Sequence, residues 1–512
     1  MNRLSATSKK LLGDPALWVT TRSSRPGAPI VSPLDGIEVG TYPICEPVDV
    51  ELALTRARAA QSRWVEKEPA ERAKILETFT ALVWKYENEL LDLIQGENGK
   101  ARSHAFEEIS DVAMTASFYA KKGPGWLKPE RVPGVLPVLT RTRVNHHPRG
   151  VVAVIAPWNY PLTLAVSDGI AALMAGNAVV LKPDSNTVLC ALAAKKLLEE
   201  AGLEADLFQV VPGPGSKLGA PLIEGSDYVM FTGSTKTGRN LAAQAGEKLV
   251  PFSAELGGKN PLIVLEDAPL ARAVRGAVKA VTSNSGQLCI SIERIYVEDG
   301  IWDRFVPAFT RAMKKVKVGA NHSWKTGMGP LISTQQLETV TRHVDDAVSQ
   351  GATVLTGGKA LPKVAPTAYA PTVLTGVTDE MTVAREETFG PVVSLFRVKD
   401  AEEAIDCAND SEYGLNASVW SSSRRGARIA SRIQAGTVNV NDGYIAAWAS
   451  LHAPMGGMKS SGMGRRHGKE GLLKYTETQN VATSLVLPVQ APSGVGEKTW
   501  SRIMKVFIKY GK

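Results

Sequence analysis

Four short β-branched runs dictate how this chain can fold. RGVVAVIAP (149–157), AVVLKP (178–183), FQVVPG (208–213) and YVMFTG (228–233) follow one another, each parted from the next by a helical stretch. Strand–helix–strand alternation requires parallel pairing, with helices covering both faces of the sheet. A second α/β series opens at NPLIVLED (260–267) and continues through ERIYVEDG (293–300), PVVSLFRV (391–398) and GTVNVND (436–442). Ahead of both, residues 51–121 carry apolar side chains at spacings of three and four, and 71–102 reads as one helical stretch among them. Residues 132–150 read as an extended hairpin, and 489–498 as a Pro/Gly linker to a short tail.

At 512 residues the chain exceeds what one core serves, so about two to four domains are expected. The net charge of +8 permits an anionic partner, but equally an enzyme for a phosphorylated cofactor. Its excess is local to the tail, which argues against nucleic acid. Four cysteines, at 45, 190, 289 and 407, make neither a disulfide framework nor a CxxC pair. No zinc or other metal site is expected, and a reducing, cytoplasmic compartment fits. The start, MNRLSATSKKLLGD, lacks the apolar core of a secretion signal, and no run of 18 apolar residues exists.

The chemistry begins at SNSGQLCIS (283–291). A nucleophilic sulfur needs a thiolate, stabilised by cations or backbone N–H groups. The small residues Ser283, Asn284, Ser285 and Gly286 let the main chain approach Cys289 closely, which suits an oxyanion hole. A buried structural thiol is the ordinary fate of a cysteine, and Cys45, Cys190 and Cys407 are assigned to it. Glu255, in SAELGGKNP, would be a solvated turn residue if it stood alone. Asn159, in APWNYP, follows a strand where a side-chain amide can donate to a developing oxyanion. FTGSTKTG (231–238) leaves a strand and opens a helix. Gly233 allows the turn, and Ser234 caps the helix where its free N–H groups can meet a phosphate. GPGSKLG (213–219) only imitates a dinucleotide fingerprint and reads as a turn.

Together APWNYP, KPDS, FTGSTKTG, ELGGKNP, SGQLCIS, EETFGPV, YGLNASVW and APMGGMKSSGMGR with YTE resemble the aldehyde dehydrogenase superfamily over about residues 30–490. The resemblance implies a Rossmann-like dinucleotide domain (1–131 and 150–257), an α/β catalytic domain (258–475) and a small β oligomerisation element (132–149 and 476–490). Residues 491–512 remain as linker and tail. It makes Cys289 the nucleophile towards an aldehyde, Glu255 the base for hydrolysis of the resulting thioester, and Asn159 with the Cys289 N–H the oxyanion hole. Cofactor contacts are implied for Trp158, Lys182, Ser185, Gly233, Ser234, Gly238, Leu256, Glu387 and Phe389. Of these, Lys182 would meet the adenosine ribose, Ser234 the pyrophosphate and Glu387 the nicotinamide ribose. Members form homodimers or homotetramers, and VATSLVL (481–487) alternates well enough to extend a partner's sheet.

Many NAD-using members carry Glu where Ser185 stands. Its absence removes repulsion of a 2′-phosphate, and Lys182 supplies positive charge, so NADP is the expected cofactor, with NAD still admissible. The whole-chain pattern is most similar to the NADP-dependent succinate-semialdehyde dehydrogenases of the second, actinobacterial type. Yet Ser167 and Ser283 occupy positions where better-defined enzymes for that substrate have arginine, and GYIAAWASLHAP (443–454) holds no Lys or Arg. Resemblance therefore points to succinate semialdehyde and pocket chemistry to an uncharged aliphatic or aromatic aldehyde. The tail, KTWSRIMKVFIKYGK (498–512), has five cations and no acid. As a helix it would set Trp500, Ile503, Met504 and Phe507 against Lys498, Arg502, Lys505, Lys509 and Lys512. Weak membrane-surface contact is one expectation, docking on its own subunit the other.

Overall fold

The β-branched runs become strands because they are buried on both faces. Val151–Ile155, Ala178–Lys182 and Tyr228–Thr232 are buried at every position in the computed structural model, which describes residues 3–22, 25, 27–135, 140–485 and 490–510. They belong to a six-stranded sheet whose spatial order is Gly462–Met463, Phe252–Glu255, Tyr228–Thr232, Val151–Ile155, Ala178–Lys182, Phe208–Val210. All pair in parallel except Gly462–Met463, which is antiparallel to Phe252–Glu255. The chain runs outward from Val151–Ile155 in one direction, then returns to build the other side from Tyr228–Thr232. The junction between these two strands is a topological switch point, where the loops leaving their carboxyl ends part and open a crevice. Register keeps those ends level, with Ile155 opposite both Lys182 and Phe231 and Thr232 opposite Glu255.

The second series forms a seven-stranded sheet ordered Thr353–Thr356, Thr372–Thr375, Val392–Val398, Ile292–Glu298, Asn260–Val264, Asn416–Trp420, Thr437–Val440. Only its first pair is antiparallel. Phe305 and Phe309 from the helix Asp299–Lys314 stack 5.5 Å apart in the core beneath it. A third, antiparallel sheet sets Thr140–Pro148 between Glu130–Pro133 and Thr476–Ser484. The expected hairpin is thus present, but starts at Glu130 and closes on a strand from the far end of the chain. That strand begins four residues before the 480 expected for it, and 486–488 lie outside the described residues.

The helical stretch 71–102 is two helices, Pro69–Lys85 and Glu87–Asn98. Tyr86 leaves helical geometry between them, and Gly99 ends the second with φ +81°, a left-handed closure that favours glycine. The tail is a helix, Glu497–Tyr510, with no buried residue. Among the described residues no helix is long and apolar enough to cross a membrane.

Candidate active site

Asn159, Gly233 and Ser234 lie just past the two central strands, and Glu255 ends the strand beside them. All four line one cavity of about 230 Å³, completed by Pro157, Trp158, Thr232, Leu256, Gly257, Cys289, Gln336, Glu387 and Phe389. Cys289 and Glu387 arrive on loops that enter neighbouring strands of the second sheet, Ile292–Glu298 and Val392–Val398. Nine of the twelve residues singled out in the sequence therefore share this space; Lys182, Ser185 and Gly238 do not.

The loop before Cys289 is more constrained than its small side chains indicate. Asn284, Ser285 and Gly286 have φ of +46°, +59° and +72°, three left-handed residues in succession. Each non-glycine residue there costs about 1–2 kcal/mol. A Cβ at Gly286 would lie 2.0 Å from the Gly390 carbonyl oxygen, so the position requires glycine. The strain is held by hydrogen bonds: Asn284 N donates to His104 Nδ1 (3.1 Å), and Ser285 Oγ donates to the Gly329 carbonyl (2.8 Å). Burial pushes His104 down to about 3, so it stays neutral and accepts.

Asn159 is bound to the same loop. Its amide nitrogen donates to the Gln287 carbonyl at 3.1 Å, and the second N–H of that amide is left for a ligand. The Asn159 carbonyl accepts from Lys100 Nζ (2.7 Å) and Asn284 Nδ2 (2.8 Å). Lys100 is fully buried, pairs with Glu108 at 2.6 Å and lies 3.7 Å over the Tyr160 ring. Glu108 in turn accepts from the N–H groups of Leu162 and Thr163 (2.9 and 3.1 Å). One buried ion pair therefore fixes the whole 159–163 turn. Sequence reading passed over Lys100 because it looks like a surface lysine in ENGK.

The electrostatics differ from the expected stabilised thiolate. Enclosure pushes the Cys289 thiol up to about 12, with Glu387 and Glu255 adding to the rise. Burial also lifts Glu255 to about 7, against the pull of Arg466 and Lys474, and lifts Glu387 to about 8. Without a ligand, the sulfur is a thiol among reluctant carboxylates. Attack by this sulfur requires loss of its proton.

The other wall of the cavity fits a dinucleotide. Ser234 caps the helix Thr235–Glu247, its Oγ accepting from Thr237 N at 3.3 Å, and the first turn holds no acid. The first N–H groups of a helix have no intrahelical partner and favour a phosphate. Glu387 accepts from Gly258 N at 3.0 Å, and a Cβ on Gly257 would fall 2.6 Å from its other oxygen. Only a glycine lets that carboxyl lie where ribose hydroxyls could meet it. Phe389 meets Trp158 edge-on, with centroids 5.4 Å apart, and Gln336 Nε2 donates to the Phe389 carbonyl at 2.9 Å. Gly238 is buried one turn into the helix, where a Cβ would strike Leu256 at 2.5 Å; it permits packing and does not line the cavity. Lys182 is buried, with Nζ donating to the Pro183 carbonyl at 2.9 Å. Ser185 lines a separate cavity of about 340 Å³ with Asn186, Glu97 and residues 29–33. Among the described residues no group of His, Cys, Asp or Glu could hold a metal ion.

Two parallel sheets, a switch-point crevice beside a capped helix, and a thiol facing a carboxyl and an amide define a dinucleotide-type oxidoreductase that works through covalent sulfur chemistry. The chain belongs to the aldehyde dehydrogenase family, whose model matches residues 18–481. It is 54% identical over 487 residues, 95% of this chain and 94% of the other, to a Mycolicibacterium smegmatis protein named "Putative succinate-semialdehyde dehydrogenase [NADP(+)]". It is 37% identical over 456 residues, 87% of this chain and 84% of the other, to the 4,4'-diapolycopene aldehyde oxidase of a Methylomonas species. Among solved structures, an E. coli NADP dependent enzyme superposes with a TM-score of 0.88 at 34% identity, covering 93% of this chain and 99% of that one.

Proposed function

We propose that this enzyme oxidises an aldehyde to the carboxylic acid, with Cys289 as nucleophile, Glu255 as base and Asn159 with the Cys289 N–H as oxyanion donors. The observation that carries the reading is the convergence of these three side chains, from separate segments, on one cavity beside the helix cap at Ser234. Sulfur adds to the carbonyl carbon as its thiol proton passes to the Glu255 carboxylate and on to solvent, and the new oxyanion is met by the free N–H of Asn159. Ser234, Glu387 and Phe389 would hold the dinucleotide, which would supply the hydride acceptor that leaves a thioester on Cys289. Glu255, with its proton affinity raised to near neutrality, takes a proton from water as that water attacks the thioester and the acid leaves. Cys289→Ala abolishes oxidation and leaves dinucleotide binding intact. Glu255→Gln gives one burst of reduced cofactor and then stalls; an unchanged steady-state rate in that variant refutes the base.

NADP is the cofactor we assign, on the serine at 185 and on the names of the relatives. The enzyme acts in the cytoplasm as a homodimer or homotetramer. Its four cysteines are all free, and Thr476–Ser484 offers an open sheet edge, exposed beyond Thr476. The division into dinucleotide domain, catalytic domain and oligomerisation element is part of the same reading.

For the aldehyde, relatives' names favour succinate semialdehyde. One observation favours an uncharged substrate. Ser167 Oγ donates to Asp111 (3.1 Å), while Ser283 Oγ and Tyr444 OH both donate to Glu107 (3.4 and 3.0 Å). Where an ω-carboxylate would need cations, each serine is backed by a carboxyl, and Glu107 already holds Lys279 at 3.3 Å. Tyr444, Trp448, Leu164 and Cys289 share one apolar cluster. Turnover of succinate semialdehyde, a short aliphatic aldehyde, a long-chain aldehyde and benzaldehyde, each with NAD and NADP, decides. Preference for succinate semialdehyde by less than about tenfold removes it as the assigned substrate.

A further inference from the structure

Behind Glu255 lies a buried charge cluster that none of the steps above uses. Asp168 stands alone as an acid on the apolar helix Thr163–Met174. Its carboxylate binds Arg466 Nη2 at 2.6 Å, Lys474 Nζ at 3.3 Å and Tyr475 OH at 3.1 Å. Exposure of the three charged side chains is only 5%, 15% and 11% for Asp168, Arg466 and Lys474. From Asp168 the Arg466 guanidinium reaches on to Thr232 Oγ1, again at 2.6 Å. Thr232 lines the cavity and is the cross-strand neighbour of Glu255. The backbone of Arg466 pairs both ways with Met455, and the next residue, Gly456, passes so close that a Cβ there would sit 3.0 Å from Glu255 Oε1. Arg466 Nε is buried with no protein partner.

We propose that Arg466, clamped by Asp168, is the positioning residue that holds the Glu255 carboxylate ionised for deacylation. Arg466 and Lys474 set two enclosed cations against one enclosed acid, Asp168, so an ionised Glu255 offsets their excess positive charge. The groups facing Glu255 are Arg465 and Arg466 from the segment after Met463, Lys474 beyond the helix Gly468–Leu473, Asp168, and Cys289 across the cavity. Arg466 is first among the charges that oppose the effect of burial on Glu255, Lys474 next, while Asp168 works the other way. His467 beside them is neutral, held down at about 4 by burial. Asp168 therefore has a double part: it fixes the guanidinium and moderates its field.

The inference rests on Glu255 being the base, and the test separates the two. Para-nitrophenyl acetate acylates Cys289 without any oxidation: the thiol attacks the ester carbonyl, nitrophenolate and the thiol proton leave to solvent, and water then releases acetate with Glu255 taking its proton. The burst reads acylation and the steady rate reads deacylation, with no dinucleotide present. Arg466→Gln moves the acid limb of deacylation up by roughly one pH unit, and Arg466→Lys restores most of it. Asp168→Asn moves the limb down. A merely structural cluster would lower rates without moving the limb, or move it the same way in both variants, and either result overturns the proposal. If Arg466→Gln does not fold, Arg466→Lys and Asp168→Asn still carry the test: a limb that does not fall in Asp168→Asn overturns it. Deacylation unaltered in Glu255→Gln overturns the base assignment itself.

Discussion

Cys289 shows how far a residue can be read from its neighbours. The loop sequence identified it among four cysteines, and Asn159 and Glu255 were legible because their motifs stand at strand ends. Its protonation was not legible, because the carboxyls of Glu255 and Glu387 that oppose a thiolate arrive from 34 residues before and 98 after it. The sign follows from burial. A thiol pushed up to about 12 is protonated throughout the neutral range, and its thiolate fraction grows about tenfold per pH unit. Iodoacetamide labelling of Cys289, followed by peptide mass spectrometry on the enzyme without cofactor, should rise from pH 7 to pH 9 with no plateau. A plateau below pH 8 contradicts the enclosed thiol. We propose that cofactor choice rests on Ser185, although it lines a cavity apart from the one that holds Cys289. Ser185→Glu should shift preference from NADP towards NAD, since a carboxylate accepts from ribose hydroxyls and repels a 2′-phosphate. Strong NAD preference in the unaltered enzyme contradicts that reading. Asp168 left a signal that went unused: a lone acid in TLAVSDGIAALM had to be either exposed or paired with cations.

At the level of elements, apolar runs located strands well, because burial on both faces leaves a continuous hydrophobic signature. Breaks were harder. The interruption at Tyr86 leaves the three-and-four spacing intact, so 71–102 looked continuous. The left-handed path of 284–286 is imposed by contacts with His104, Gly329 and Gly390, and a run of Asn, Ser and Gly only tolerates it. Lys100 is the element-scale anchor, joining the turn after Asn98 to the turn at Asn159. Lys100→Met leaves Glu108 buried without its cation, which costs about 3–5 kcal/mol. It also releases the Asn159 carbonyl. We expect a lower Tm and a fall in kcat larger than any change in KM, because Asn159, the proposed oxyanion donor, loses its anchor. Lys100→Met together with Glu108→Gln should recover most of the Tm but not kcat. Recovery of both would reduce Lys100 to a stability element.

Across the whole molecule, the pairing order of the strands decides where the site falls. The sequence showed two α/β series but not their spatial order, because parallel pairing is chosen by long-range packing. The short strands Thr353–Thr356 and Thr372–Thr375 carry too few residues to register as runs. The basic tail was legible as an amphipathic helix, and its structure is compatible with both expectations held for it. No residue of Glu497–Tyr510 is fully buried, but Trp500, Met504 and Phe507 on its apolar face are only half-exposed, so that face is partly covered. Ile503 is 49% exposed, Val506 58% and Ile508 69%, beside Lys498, Arg502, Lys505 and Lys509; Lys512 lies outside the described residues. Apolar side chains inserted at a bilayer surface contribute transfer energy, and each cation near anionic lipid adds about 1 kcal/mol. The expected result is weak attachment that fades with salt, since screening shortens the reach of the cations. Such attachment has kinetic value for an aldehyde that partitions into lipid and none for a small water-soluble one. Sedimentation with anionic liposomes at low and high salt, using the full chain and a version ending at Gly496, reads this directly. The full chain should pellet at low salt and be released at high salt, while the shortened chain stays in the supernatant in both. Equal recovery of the two proteins in the supernatant at low salt removes the membrane reading and turns the substrate assignment towards the soluble aldehyde.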